Sequence, residues 1–115
     1  MPEQQAGPDP VRERYEDLVD DLMGIDGVAP PAGGRGFGRS ALRYRGRIFA
    51  MLVRGRLVLK LPSARVTALI SAGHGTAFDA SKGTPMKEWL ALDPGSDLDW
   101  LPLATEALTF ARGRT

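Results

Sequence analysis

The side chains best suited to binding chemistry in this 115-residue chain are arginines concentrated in its middle. Nine cationic residues and no acidic ones lie between Asp26 and Asp79. Residues 1–26 hold two arginines against eight acids, and residues 79–115 hold four cations against six acids. A basic centre between acidic ends is typical of a surface for an anionic partner such as nucleic acid. The alternative is self-complementarity, in which the acidic face of the first helix neutralises the basic segment.

The candidate anion contacts all lie in this basic interval, on a predicted strand, on turns or on a glycine-rich loop. They are Arg35, Arg39, Arg43, Arg45, Arg47, Arg54 and Arg56. Guanidinium groups form forked hydrogen bonds with phosphates, and Phe37 and Tyr44 lie among them as residues on which bases could stack. The alternative is structural, because charged side chains also protect exposed strands from aggregation.

Other chemistry has little support in the sequence. The chain has no cysteine and one histidine, which excludes metal sites built from several such ligands. His74 stands between two glycines and is expected to be an ordinary side chain, either hydrogen-bonded within the protein or solvated. Residues 33–40 differ from a phosphate-binding loop by Arg39 in place of lysine, but a loop precedes them and a strand follows. We therefore predict no catalytic residue, no cofactor, no metal and no enzyme activity.

Length and composition indicate one domain. The chain is 43% hydrophobic and 25% charged, which is ordinary for a globular protein of this size. We predict a flexible tail over residues 1–8 and a single domain over residues 9–113. The N-terminus lacks the pattern of a signal peptide and no apolar run is long enough to span a bilayer, so we expect a cytoplasmic protein with no membrane partner.

The clearest structural signal is a three-strand antiparallel meander between Ser40 and Leu61, divided by the Arg45-Gly46 and Arg54-Gly55 dipeptides. A two-residue second turn gives one apolar face with Leu52 opposite Leu57, Ala50 opposite Leu59 and Ile48 opposite Leu61. The other face pairs Met51 with Val58 and Phe49 with Lys60. On this face Phe49, Met51 and Val58 form a candidate contact with a second subunit or another protein.

Helices and further strands surround the meander. A first helix is predicted from Asp9-Pro10 to a left-handed Gly24, after which residues 24–38 should lack regular structure. A second helix spans residues 64–72 and ends at Gly73. A brief strand near residues 77–79 and a strand over residues 86–92, anchored in the core by Trp89, come next. Asp99 should cap a final helix whose buried stripe is Leu101, Ala104, Leu108 and Ala111. The order predicts an α+β fold, with an antiparallel sheet of four to five strands flanked by about three helices.

The basic segment also resembles the N-terminal domain of the TfoX family and the related MmcQ/YjbR-like proteins, over roughly residues 12–112. The matching elements are Gly36 and Gly38, Gly46-Arg47, Ile48-Phe49-Ala50 and Leu57-Val58-Leu59-Lys60. Leu61-Pro62 departs from the acidic residue that TfoX-like sequences tend to carry after the last of these. The resemblance implies a small α+β domain without known catalysis that acts by binding, with nucleic acid the expected partner. A homodimerisation or protein-interaction module is the alternative.

Overall fold

One antiparallel sheet and three helices make up the described part of this computed structural model, which comprises residues 10–29, 41–78 and 87–113. The helices are α1 (Pro10–Leu22), α2 (Ser63–Ser71) and α3 (Trp100–Gly113). The strands are β1 (Val28–Ala29), β2 (Leu42–Tyr44), β3 (Arg47–Val53), β4 (Arg56–Lys60), β5 (Gly75–Ala77) and β6 (Trp89–Leu92). They form a six-stranded sheet in the order β1-β2-β3-β4-β6-β5. The predicted α+β class is confirmed, with one strand more than expected. The predicted tail and Asp9 lie outside the described residues.

The two turns of the meander follow the prediction. Arg45 and Gly46 have φ angles of 49° and 88°, and Arg54 and Gly55 have 52° and 77°. Positive φ at both central residues is the requirement of a type I′ turn, whose twist matches that of the flanking strands. The predicted register across the second turn is confirmed, with Ala50 opposite Leu59, Met51 opposite Val58 and Leu52 opposite Leu57.

The register across the first turn contains a β-bulge at Phe49. Leu42 pairs with Ala50 while Arg43 pairs with Ile48, so Phe49 has no partner on β2. A bulge places two successive side chains on the same face. Phe49 therefore joins Ala50 on the helix-covered face, and Ile48 moves to the other face. The predicted positions of Ile48 and Phe49 were wrong because regular alternation was assumed.

The main core lies between the first face of the sheet and the three helices. Helix α1 contributes Tyr15, Leu18 and Leu22, and burial raises the pKa of the Tyr15 hydroxyl. The buried side of α3 consists of Trp100, Leu103, Ala104, Ala107, Leu108 and Ala111. Leu101 was predicted to belong to this stripe, but it is 41% exposed. The stripe instead begins one residue earlier, at Trp100.

The second face of the sheet carries a smaller cluster to which no described helix contributes. It consists of Ala41, Met51, Val58, Phe78 and Ala91, with Ile48, Val53 and Trp89 partly buried against them. Trp89 packs against Phe78 with ring centroids 6.5 Å apart. Its predicted role as anchor of the main core is corrected, because Trp100 is the tryptophan buried under the helices.

The second predicted helix ends at its expected glycine, whereas the first does not. Gly73 has a φ of 85° and donates its N–H to Ile70 while His74 donates to Leu69, which closes α2 as a Schellman motif. After α1 the left-handed residue is Gly27, with a φ of 91°, and not Gly24. Gly27 leads directly into β1, so the segment predicted to lack regular structure begins with a two-residue edge strand.

Candidate anion-binding surface

The six strands contain cationic side chains and no acidic ones. Arg43, Arg47, Arg56 and Lys60 lie on strands, and Arg45 and Arg54 lie on the turns between them. The acidic residues of α1 are exposed on the side of that helix facing away from the core, because Tyr15, Leu18 and Leu22 face the sheet. Within the described residues, none of the five arginines between 43 and 56 forms an ion pair with a carboxylate. Arg35, Arg39 and Phe37 lie outside the described residues.

The first of two arginine clusters surrounds Tyr44 at the β2–β3 turn. The Nε of Arg45 donates a hydrogen bond of 3.1 Å to the Tyr44 hydroxyl, and the Arg45 guanidinium lies 5.5 Å from the ring centroid. The guanidinium of Arg112, on α3, lies 6.0 Å from the same ring. Arg47 is exposed and is the cross-strand partner of Tyr44, so both side chains lie on one face of the sheet. We name Arg45, Arg47 and Arg112 the tyrosine cluster.

Tyr44 itself is a support for these arginines. Its side chain is only 7% exposed, and it packs against Gly27, where an added Cβ would lie 2.5 Å from a ring carbon. The Arg45 N–H donates to the Gly27 carbonyl over 3.0 Å, which fixes the turn to the start of β1. The prediction that Tyr44 offers a stacking surface to bases is therefore corrected.

The second cluster lies at the β3–β4 turn and consists of Arg54 and Arg56. Both side chains are exposed and line a cavity of about 290 Å³ on the second face of the sheet. Thr76 on β5 and Phe78 line the same cavity. No carboxylate of a described residue lines it. We name Arg54 and Arg56 the turn cluster.

The two clusters lie at opposite ends of β3. The seven residues of this strand separate the turns by roughly 20 Å at the usual rise per residue. Arg43 lies nearer the tyrosine cluster but points to the second face, since it pairs with Ile48, and it is half-buried. The predicted candidates are thus divided into two groups.

Sequence reasoning missed the residues that complete each group. Arg112 reaches Tyr44 from the last turn of α3, and Thr76 reaches the turn cluster from the edge strand β5. Lys60 is also part of the basic second face, with its Nζ 5.6 Å from the ring centroid of Trp89. Strand order and helix packing bring these residues together, and no local pattern could have indicated it.

The predicted partner face does not offer exposed side chains. Met51 and Val58 are 2% and 1% exposed within the second-face cluster, and Phe49 is fully buried in the main core. The bulge separates Phe49 from the other two. These three residues therefore cannot form a contact with a second subunit as the chain is folded here, and this prediction is corrected.

His74 is hydrogen-bonded within the protein, which is one of the two states expected for it. Its Nδ1 lies 2.9 Å from the Ser96 hydroxyl, and the Ser96 oxygen accepts a 3.2 Å hydrogen bond from the Leu98 N–H. These contacts tie the end of α2 to the segment before α3. In the described ranges no three or more His, Asp or Glu side chains are grouped so that they could hold a metal ion.

Helix length and composition bear on the membrane expectation. None of the described helices is both long and apolar enough to span a bilayer.

Neither a scan against protein-family models nor searches of curated proteins and of solved structures find a match to this chain.

Proposed function

We propose that this chain is a non-enzymatic domain that binds nucleic acid, with the tyrosine cluster and the turn cluster contacting phosphates. The observation that carries the proposal is the charge of the meander, where residues 42–60 hold six cations and no acid. Its arginines form no ion pair with a described carboxylate. Exposed guanidinium groups in that state gain from contact with phosphate at little desolvation cost.

The separation of the clusters favours an extended polyanion. A single small anion could contact one cluster only, whereas roughly 20 Å of duplex axis carries about six phosphates on each strand. Contacts from turn residues to phosphates position a protein without reading base edges. We therefore expect binding that depends weakly on base sequence and strongly on salt.

The resemblance to TfoX N-terminal domains and MmcQ/YjbR-like proteins belongs to the same proposal. Residues 42–60, which carry most of that resemblance, are also the residues that form the meander and both of its turns. The assignment is supported by the positions of the two Arg-Gly turns and by the α+β class. To the function proposed from charge, the resemblance adds a regulatory role that is exercised through binding.

The test is fluorescence anisotropy with a labelled duplex over a salt series. Each arginine that neutralises a phosphate contributes about −0.9 to the slope of log affinity against log salt. Arg45→Ala with Arg47→Ala, and separately Arg54→Ala with Arg56→Ala, should each weaken binding and reduce the slope by about one to two. Arg65→Ala is the matched control, because Arg65 is an exposed arginine on α2 that pairs with Glu106 at 2.9 Å.

Two results would contradict the proposal. One is affinity that does not change with salt, and the other is an equal loss in the Arg65→Ala control and in both double variants. Light scattering on the same samples tests the alternative of self-association. A concentration-dependent mass without any nucleic-acid binding would favour an oligomerisation module over a nucleic-acid-binding domain.

A further inference from the structure

The cavity beside the turn cluster combines charge with apolar walls. Arg54 and Arg56 lie on one side, and the side chains of Val53 and Val58 lie on β3 and β4 beneath it. Thr76 adds a hydroxyl and Phe78 an aromatic ring. Cavities for small molecules share this composition, in which apolar walls bury most of the ligand and a few polar groups orient it.

The charge of the cavity is of one sign. Both arginines are exposed and neither forms an ion pair with a described carboxylate. Asp93 lies near Arg56 along the other side of the turn, where both residues line a smaller cavity of about 130 Å³. The Asp93 carboxylate already accepts a 2.8 Å hydrogen bond from the Gly95 N–H. Because no described carboxylate lines the cavity of about 290 Å³, its two guanidinium groups favour an anion from outside the chain.

The turn fixes the backbone positions of these two arginines. Arg54 is in the left-handed conformation with a φ of 52°, and the register is fixed because Val53 pairs directly with Arg56. Thr76 is held on β5 by its pairing with Ala91. The backbone that carries these polar groups is therefore ordered before a ligand arrives, and binding costs only side-chain entropy.

We infer that the cavity formed by Arg54, Arg56, Thr76 and Phe78 binds a small amphiphilic anion, a carboxylate or phosphate attached to an apolar body of about one ring. Its volume of about 290 Å³ lies just below the about 300 to 1,000 Å³ usual for ligand cavities, which limits the ligand to this size. The arginines take the anionic group by forked hydrogen bonds. The ring of the ligand lies against Val53, Val58 and Phe78.

The test is an NMR titration of the amide resonances with benzoate, phenyl phosphate, inorganic phosphate and the uncharged benzamide. Benzoate or phenyl phosphate should shift the amides of Thr76, Ala77 and Phe78, and should bind at least about tenfold more tightly than benzamide. Inorganic phosphate should bind more weakly than phenyl phosphate because it leaves the apolar walls exposed. Binding as tight by inorganic phosphate or by benzamide would overturn the inference.

Variants separate this site from the nucleic-acid surface. Arg54→Gln with Arg56→Gln should weaken phenyl phosphate at least about tenfold, and Thr76→Val should weaken it less. Arg45→Gln with Arg47→Gln is the control and should leave phenyl phosphate unaffected while it still weakens DNA. Unchanged affinity in the Arg54 and Arg56 variant, or shifts confined to amides elsewhere, would overturn the inference. Phenyl phosphate binding by an unmodified protein that binds no DNA would count only against the proposed function.

Discussion

Strand β3 lies between two turns that have the same dipeptide, and the surroundings of the two turns give them different roles. Arg45-Gly46 and Arg54-Gly55 have nearly the same φ angles. At the first turn, Arg45 hydrogen-bonds the Tyr44 hydroxyl and its backbone N–H is bonded to β1. At the second turn, Arg54 has no such support and lines an open cavity.

The Arg-Gly dipeptide therefore determines the turn conformation, and the residues around it determine whether the arginine side chain contacts the rest of the fold. The first turn is part of the structure, since the buried Tyr44 joins it to Gly27 and to Arg112 on α3. The second turn only presents cations. We therefore expect substitution of Arg45 at the first turn to affect stability as well as binding, and substitution of Arg54 at the second turn to affect binding with little loss of stability.

The largest expected effect tests the bulge that distinguishes the β2–β3 hairpin. Phe49→Ala should lower the free energy of unfolding by about 3–5 kcal/mol, because it empties a fully buried position under the helices. Ile48→Ala should cost about 1–2 kcal/mol, because Ile48 is half-buried on the second face. The measurement is urea denaturation followed by circular dichroism.

The reverse order of these losses would contradict the bulge. In a strand with uninterrupted alternation, Ile48 would lie under the helices and Phe49 on the second face. NMR contacts provide a second measurement, because Leu42 lies opposite Ala50 in the bulged register and would lie opposite Phe49 in a regular one with the same two-residue turn.

A smaller effect compares one glycine beside each turn. Gly27→Ala should cost about 3 kcal/mol, because the residue has a φ of 91° and its new Cβ would lie 2.5 Å from the Tyr44 ring. Gly55→Ala should cost about 1–2 kcal/mol, since its φ is 77° but no atom lies within 4 Å of the added Cβ. Equal midpoints of denaturation in the two variants would show that the first turn has no special support.

The parts of the fold that the sequence predicted are those with a local cause. The two Arg-Gly turns and the register between β3 and β4 follow from turn chemistry and spacing. The bulge could not be predicted, because residues 48–53 are all apolar and contain no polar position that would show a change of face. Leu101 was misassigned for a related reason, since apolar residues at both 100 and 101 permit two stripes that begin one residue apart.

For the candidate surface, the sequence indicates the types of residue involved but not how they are arranged in space. The period of two along a strand could not show that β6 and β5 follow β4 in the sheet. That order brings Thr76 near Arg56, about 20 positions away along the chain. Tyr44 was expected to be exposed among arginines, and its burial depends on Gly27, whose role is visible only when the segment is folded.

The smallest expected change in stability has a different sign at the two turns. Asparagine is preferred over arginine at the first central position of a type I′ turn, because it adopts positive φ at lower cost. Arg54→Asn should therefore stabilise the chain by roughly 0.5 kcal/mol, since Arg54 gives up no contact with a described side chain. Arg45→Asn gains the same backbone term but loses the part-buried hydrogen bond and the ring contact with Tyr44, each worth about 0.5–1 kcal/mol. Its net effect should therefore be a loss of roughly 0.5–1.5 kcal/mol. Thermal denaturation of both variants measures the difference, and stabilisation of equal size at the two turns would mean that Tyr44 gives Arg45 no support.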